Sequence, residues 1–299
     1  MWLHNAITYL AVSTRTQYGF QLMEKRQQPL NRFCMDILHI LTGAIVGFII
    51  GLTGVGGGSL MTPILILGFH INPAVAVGTD LLYAAIAKVN GVFFHHRQRT
   101  IDWKVVLRLS CGSLPAALLT LLLLGKLKRL GYDFEHWMTL TLGIMLILTA
   151  FVVFARQTLL QLLQKGLHRQ NALITQLKRY RGTITILTGV ALGFFVTLSS
   201  VGAGAVGTAI LFLLYPNTRT VMIVGTDLAH AVPLTAIAGI GHWQIGSVDL
   251  ELLSGLIMGG LPAIYLGSLV GRKLPDSILR PVLAFILLGL GLHFSLRMV

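Results

Sequence analysis

Charge is what this chain has least of. Of its 299 residues only 11% are Asp, Glu, Lys or Arg and 55% are apolar, against roughly 25% charged in soluble domains. So thin a polar complement cannot cover a soluble globule, which excludes a soluble enzyme or binding module. Several apolar runs reach the about 20 residues that cross a bilayer as a helix, so the chain reads as a polytopic membrane protein. Acids are scarcer than bases, 10 against 23, leaving a net charge of +13. In a membrane protein that excess belongs to loops on the cytoplasmic side, with a share free to attract an anionic substrate. Nucleic acid as a partner would need a soluble basic face, and no stretch supplies one. The two cysteines, Cys34 and Cys111, make neither a disulfide framework nor a metal site, and no metal or other cofactor is expected. H-E-x-x-H, G-x-S-x-G and paired-carboxylate motifs are missing as well. An intramembrane enzyme built on His95, His96 and Asp102 would need a nucleophile or metal converging on a pocket, so the chain is not read as an enzyme.

What the chain does have is apolar length and glycine. Eight apolar segments lie at about 37–69, 74–94, 104–125, 137–155, 184–214, 219–241, 248–271 and 278–296. Backbone in lipid must satisfy its own hydrogen bonds, so all are expected to be helical and the fold class all-α. The first and fifth segments are too long for one straight crossing, and each carries a glycine cluster: Gly54, Gly56, Gly57 and Gly58, then Gly202 and Gly204.

The two halves repeat. At an offset of 146, Gly43, Gly47, Val55, Gly56, Gly58, Thr62 and Ile64 fall on Gly189, Gly193, Val201, Gly202, Gly204, Thr208 and Ile210. At 147, Gly78-Thr79-Asp80 falls on Gly225-Thr226-Asp227, His95 on His242, Asp102 on Asp249, and Pro115 on Pro262. The chain is therefore two homologous four-segment repeats, a pattern common among secondary transporters. The divisions are 1–36, an extramembrane or interfacial segment; 37–155, repeat 1; 156–181, a basic linker with one leucine-rich face; and 182–299, repeat 2. If segments 1 and 5 cross, the repeats are parallel; if they turn back, the repeats are inverted. Positive-inside counting slightly favours eight crossings.

Irregular backbone at membrane depth is tolerated only where it is buried in protein or lines a wet cavity. Helices broken or re-entrant at Gly54–Gly58 and Gly202–Gly204 would offer unpaired N–H groups and a positive dipole end to an anion. Gly56, Gly57, Gly58, Ser59, Ser199, Ser200, Gly202 and Gly204 are thus candidate substrate contacts, joined by Thr79 and Thr226 of the matched Gly-Thr-Asp pair. Lys88, deep in segment 2, is either an anion contact, a buried ion-pair member or a snorkelling side chain. Asp80 and Asp227 either tie loops or couple a proton or cation, since charge in the membrane needs a partner or a cavity. His95 and His242, at matched segment ends, suit proton handling or are spectators. Gly43, Gly47 and Gly51 read as a packing stripe. Thr100-x-Asp102 and Ser247-x-Asp249 read as N-caps with an acid in the first turn.

The run G-x-x-x-G-x-x-x-G-L-T-G-V-G-G-G-x-x-x-x-P from Gly43 to Pro63, with G-T-D at Gly78 to Asp80, H-x-R at His95 to Arg97 and the Asp-Trp pair at Asp102, resembles the TauE/SafE sulfite exporter family. The resemblance covers about residues 37–296. The second half departs from it with Ser199-Ser200 for Thr53-Gly54, Ala203 for Gly57 and no proline matching Pro63. It implies a secondary transporter in the inner or plasma membrane that moves sulfite, an organosulfonate or a related organic anion. Alternating access around paired helix breaks is the expected mechanism. A channel, an enzyme and a non-transporting scaffold are the alternatives. Expected partners are the anion, a coupling proton or cation and the lipid bilayer, with a homo-oligomer left open.

Overall fold

The computed structural model describes residues 37–52, 58–166, 180–271 and 276–296. The segment 1–36, most of the linker 156–181, and Gly54 to Gly57, with candidates Gly56 and Gly57, lie outside the described residues or have side chains that do. Every described element is a helix: α1 Ile37–Leu52, α2 Gly58–Phe69, α3 Pro73–Arg97, α4 Trp103–Arg129, α5 Glu135–Gly166, α6 Arg181–Ser199, α7 Ala205–Leu214, α8 Thr220–Gln244, α9 Leu250–Gly271 and α10 Asp276–Leu296. The two long apolar segments each become a pair, α1–α2 and α6–α7, and the other six each become one helix. Six helices, α3, α4, α5, α6, α8 and α9, are long and apolar enough to cross a membrane. Helix α5 continues to Gly166, so the start of the basic linker is a helical extension.

Lipid gives apolar side chains little reason to leave it, so helices in membranes associate by close backbone approach at small residues. That is how this bundle is held. A Cβ on Gly43 would lie 2.5 Å from Leu256 O, and one on Gly47 2.5 Å from Gly260 O. The same contact recurs in the other half, where Gly189 lies against Leu109 O and Gly193 against Ser113 O. Gly112 meets Ile186 and Val190; its counterpart Gly259 meets Ile40 and Ala44. The glycine stripe is therefore packing, as the spacing predicts, and it joins the repeats: α1 lies along α9 and α6 along α4. In both pairs residue numbers rise together, so the partners are parallel.

The central pair is different. Gly78 of α3 meets Ser247 and His242 at the far end of α8, Gly239 meets Leu82, Gly91 meets Leu228, and Gly225 meets Thr100 and His95. Helices α3 and α8, matched by the sequence offset, thus run antiparallel, the relation that inverted repeats would have. Helix α4 is parallel to α8, through Asp102 N to Thr226 Oγ1 (2.9 Å) and Ser113 Oγ to His230 Nε2 (2.8 Å). Helix α7 runs back against α8, with Gly207 at Asp227 and Leu211 and Phe212 at Ile223. Tyr215, just after α7, reaches Thr185 at the start of α6 through a 2.9 Å hydroxyl contact, closing the open end of the hairpin. In the first repeat α2 likewise runs back along α3, from Thr62 beside Asp80 to the turn at 70–72. Helix α6, itself long and apolar enough to cross, and α7 begin and finish at one end of the bundle.

Capping follows local chemistry with one adjustment. Asp102, not Thr100, is the N-cap of α4, its carboxylate accepting from Lys104 N and Val105 N at 3.0 and 3.3 Å; Asp249 Oδ1 accepts from Leu252 N at 3.0 Å. A carboxylate at the positive end of a helix outcompetes a hydroxyl there, and the Thr100 hydroxyl turns instead to His95 O at 3.0 Å. Opposite orientation of the repeats is directly testable. In a protein with Cys34 and Cys111 replaced by Ala, single cysteines at the exposed positions Gln98 and Gln244 should be labelled by an impermeant maleimide from opposite faces of a sealed vesicle. Labelling of both from one face would overturn the inverted arrangement.

Candidate functional site

A helix that carries Asp80, Ala84 and Lys88 at i, i+4 and i+8 aims all three at neighbouring surface. Helix α3 has 25 residues and Lys88 lies three past its midpoint, so this cation sits deep in the bundle. It is half-buried, while Asp80 and Asp227 are 0% and 1% exposed. The ammonium donates to Ala203 O at 3.1 Å and lies in electrostatic range of both Asp80 and Asp227.

Ala203 belongs to the break between α6 and α7. The turn is made by Ser200 at φ 59°, Gly202 at φ 124° and Gly204 at φ 141°; positive φ comes without penalty only to glycine, and Ser200 adopts the left-handed region as the C-cap of α6. A side chain at Gly202 would be strained by that φ, and its Cβ would push on Met145 Cε at 2.8 Å. Ser199 Oγ is committed inside the turn, donating to Phe195 O at 2.7 Å. The Ser200 hydroxyl faces Asp80 but closes no hydrogen bond of normal geometry. On the other side of Asp80, Thr62 Oγ1 of α2 donates to Oδ2. Ser59, in the first turn of α2, is 5% exposed, and Gly58 opens that helix.

The break thus brings Ser200, Ala203, Lys88 and Asp80 together, with Asp227 at its far end beneath Gly207. Thr79 and Thr226 do something else. Thr79 Oγ1 accepts from Asp249 N at 3.1 Å and Thr226 Oγ1 from Asp102 N at 2.9 Å. Each hydroxyl ties the head of a helix in the other repeat. His95 and His242 stand 15 positions beyond Asp80 and Asp227, about 22 Å along the helix. His95 Nδ1 contacts Thr100 Oγ1 at 2.8 Å and His242 Nε2 contacts Thr197 O at 2.9 Å, so both rings tie helix ends, while the antiparallel crossing sets His95 against Gly225 and His242 against Gly78, each two residues before the other repeat's aspartate.

Two rings that the motif comparison did not single out lie closer. Tyr83 and His230 occupy equivalent places three residues after the matched aspartates, both 0% exposed. His230 Nε2 pairs with Ser113 Oγ at 2.8 Å; Tyr83 OH abuts Gly260, the counterpart of Ser113. The Tyr83 hydroxyl and His230 Nδ1 have no hydrogen-bond partner among the described residues. Identity at the repeat offset misses them because tyrosine stands opposite histidine; a search for matched large polar rings facing matched small residues would find them. Among the described residues no three His, Cys, Asp or Glu gather as metal ligands.

The profile of the family described as Sulfite exporter TauE/SafE matches residues 39–294. The chain belongs to the TauE/SafE sulfite exporter family. It is 39% identical over 258 residues to the probable membrane transporter protein YjnA of Bacillus subtilis, covering 86% of this chain and 99% of that one. It is 30% identical to the probable membrane transporter protein MJ0441 of Methanocaldococcus jannaschii, over 87% and 95% of the two chains. A second Bacillus subtilis relative, the probable membrane transporter protein YdhB, is 28% identical over 82% and 94%. No solved structure matches. Like its relatives, this TauE/SafE chain is an integral membrane protein of transporter type. For the threonine ties, replacing Thr79 or Thr226 by Val should cost about 1 kcal/mol each, the usual worth of one hydrogen bond, read as a lowered midpoint of thermal unfolding in detergent; an unchanged midpoint in both would remove the ties.

Proposed function

We propose that the protein is a secondary carrier of the inner or plasma membrane that moves a small anion, sulfite, an organosulfonate or a related organic anion, by alternating access. The anion sits beside Lys88 at the Ser200–Gly204 break. The observation that carries this reading is the partner of Lys88. A cation with two carboxylates in electrostatic range is expected to donate to one of them; half-buried Lys88 instead gives its hydrogen bond to a neutral carbonyl, Ala203 O, just past the end of α6. An ammonium so placed is free to trade that carbonyl for an anion, a stronger partner. The surroundings suit the exchange. Ser200 presents a hydroxyl that faces Asp80, α7 starts at Ala205 with its positive end towards the break, and Gly202 and Gly204 leave the backbone bare.

The inverted repeats support the alternating part. Two structurally equivalent hairpins meeting antiparallel helices at mid-depth allow one repeat to adopt the other's conformation, which exchanges the open side. The family description supplies the candidate cargo class, and the break supplies no feature that selects sulfur oxyanions over carboxylates. The test is flux into proteoliposomes across a panel of sulfite, sulfonates and short carboxylates. Lys88→Met should lower flux and affinity of the transported anion at least tenfold, about 1.4 kcal/mol or more, while the protein still elutes as a folded species. Equal flux from the variant would remove Lys88 from the site; no flux of any anion in the wild type would end the carrier reading.

A further inference from the structure

We propose that Asp227 is the proton-binding group of the carrier, taking up one proton as an anion arrives at Lys88 and releasing it when the anion leaves. The proposal rests on the anion reading of this site and adds its coupling ion.

It begins from a difference between twins. Asp80 and Asp227 occupy equivalent positions, and both are buried. Asp80 receives the Thr62 hydroxyl on Oδ2 and faces Ser200. The counterpart of Thr62 is Thr208, and its hydroxyl turns to its own helix, to Gly204 O and Ala205 O, at 2.5 and 3.0 Å. Asp227 is left with neither carboxylate oxygen hydrogen-bonded among the described residues, while the bare α-carbon of Gly207 packs on Oδ1. An ionised carboxylate without donors at this depth is tolerable only if a cation stands by.

Among the described residues the cation standing by is Lys88. From α3 the other titratable group on this side is His95, whose ring lies against Gly225 and is engaged by Thr100. Helix α4 brings Asp102, bound through its N–H to Thr226, and α7 brings Gly207, with no titratable group. Within α8 itself His230 follows three residues later and is held by Ser113. Helix α6 contributes a carbonyl, Thr197 O, to His242. One ammonium therefore serves two carboxylates already. A singly charged anion makes it serve three negative groups, and the site would go from −1 to −2. A proton on Asp227 restores −1. Asp80 keeps its donor and needs none.

A metal cation fits less well. Hard cations take about six oxygen ligands; the described surroundings of Asp227 offer its own two oxygens and a neighbouring ammonium that repels a second cation. The protonated acid instead carries a single hydrogen and no charge. Proton and anion therefore move in the same direction.

The test uses the whole protein in lipid and methanesulfonate, which stays ionised through the working pH range, so that no proton is contributed by the probe. Infrared difference spectra on methanesulfonate addition should gain a protonated-carboxyl band that is absent in Asp227→Asn and shifted in Asp227→Glu. A weakly buffered suspension should lose one proton per anion bound. Affinity should fall by up to about tenfold per pH unit, the slope of one linked proton, and Asp227→Asn should lose that slope. Binding with no proton uptake, or a band indifferent to both substitutions, would overturn the proposal and leave the carrier reading standing. If methanesulfonate and the other anions of the panel fail to bind, the carrier reading falls instead. A pH titration of the ligand-free protein then decides the proton site: a titrating band abolished by Asp227→Asn supports it, and its absence refutes it.

Discussion

The structure depends on how closely backbones come together. Where solvent is as apolar as a leucine side chain, burying more leucine does not select a neighbour; contact distance does. Gly43, Gly47, Gly112, Gly189, Gly193 and Gly259 bring α1 onto α9 and α4 onto α6 until carbonyls fill the space a Cβ would occupy. Gly78 and Gly225 do the same for α3 and α8 against the carbonyls of Ser247 and Thr100, and Gly239 packs on the Leu82 side chain. Each of these pairs joins one repeat to the other. The repeats are interlocked, and neither could keep its central helix in place alone.

Interlocking puts the costly groups where they can share one another. The antiparallel crossing of α3 and α8 brings Asp227 into electrostatic range of Lys88, which shares α3 with Asp80, and the returning hairpin α6–α7 delivers the carbonyl of Ala203 to the same ammonium. The threonines of the two Gly-Thr-Asp motifs hold the crossing in register from outside, through the heads of α9 and α4. Around this two-fold frame the bonding is not two-fold. The counterpart of Lys88 is Thr235, not a second lysine; Thr62 bonds a carboxylate and Thr208 its own helix; the counterpart of Tyr83 is His230. Symmetry of the scaffold with asymmetry of the charges is the arrangement a carrier needs if its two end states differ in what they bind.

Much of this was legible before any coordinates. Charge scarcity and run length pointed to membrane helices, the offsets of 146 and 147 to a duplicated unit, and the excess length of segments 1 and 5 to helices that break. The glycine stripe was readable as packing because its i, i+4, i+8 spacing puts every member on one face. The histidines were less legible. His95 and His242 repeat, which drew attention to them, yet repetition marks whatever both halves need, and both halves need a pinned helix end. His230, which does not repeat, lies one turn after Asp227 and is held by Ser113.

The sequence by itself determined that this chain lives in a membrane, is built twice from one unit, and breaks its helices at glycine, because hydropathy, repetition and backbone freedom are properties of residues in order. Only the tertiary structure decided that the matched helices α3 and α8 run antiparallel and that Lys88 lies in electrostatic range of both Asp80 and Asp227. Direction depends on whether α6–α7 crosses or returns, and charge counts in the loops nearly balance between those two paths. Which groups share one ammonium depends on an antiparallel contact between residues more than a hundred positions apart, a distance no local spacing encodes.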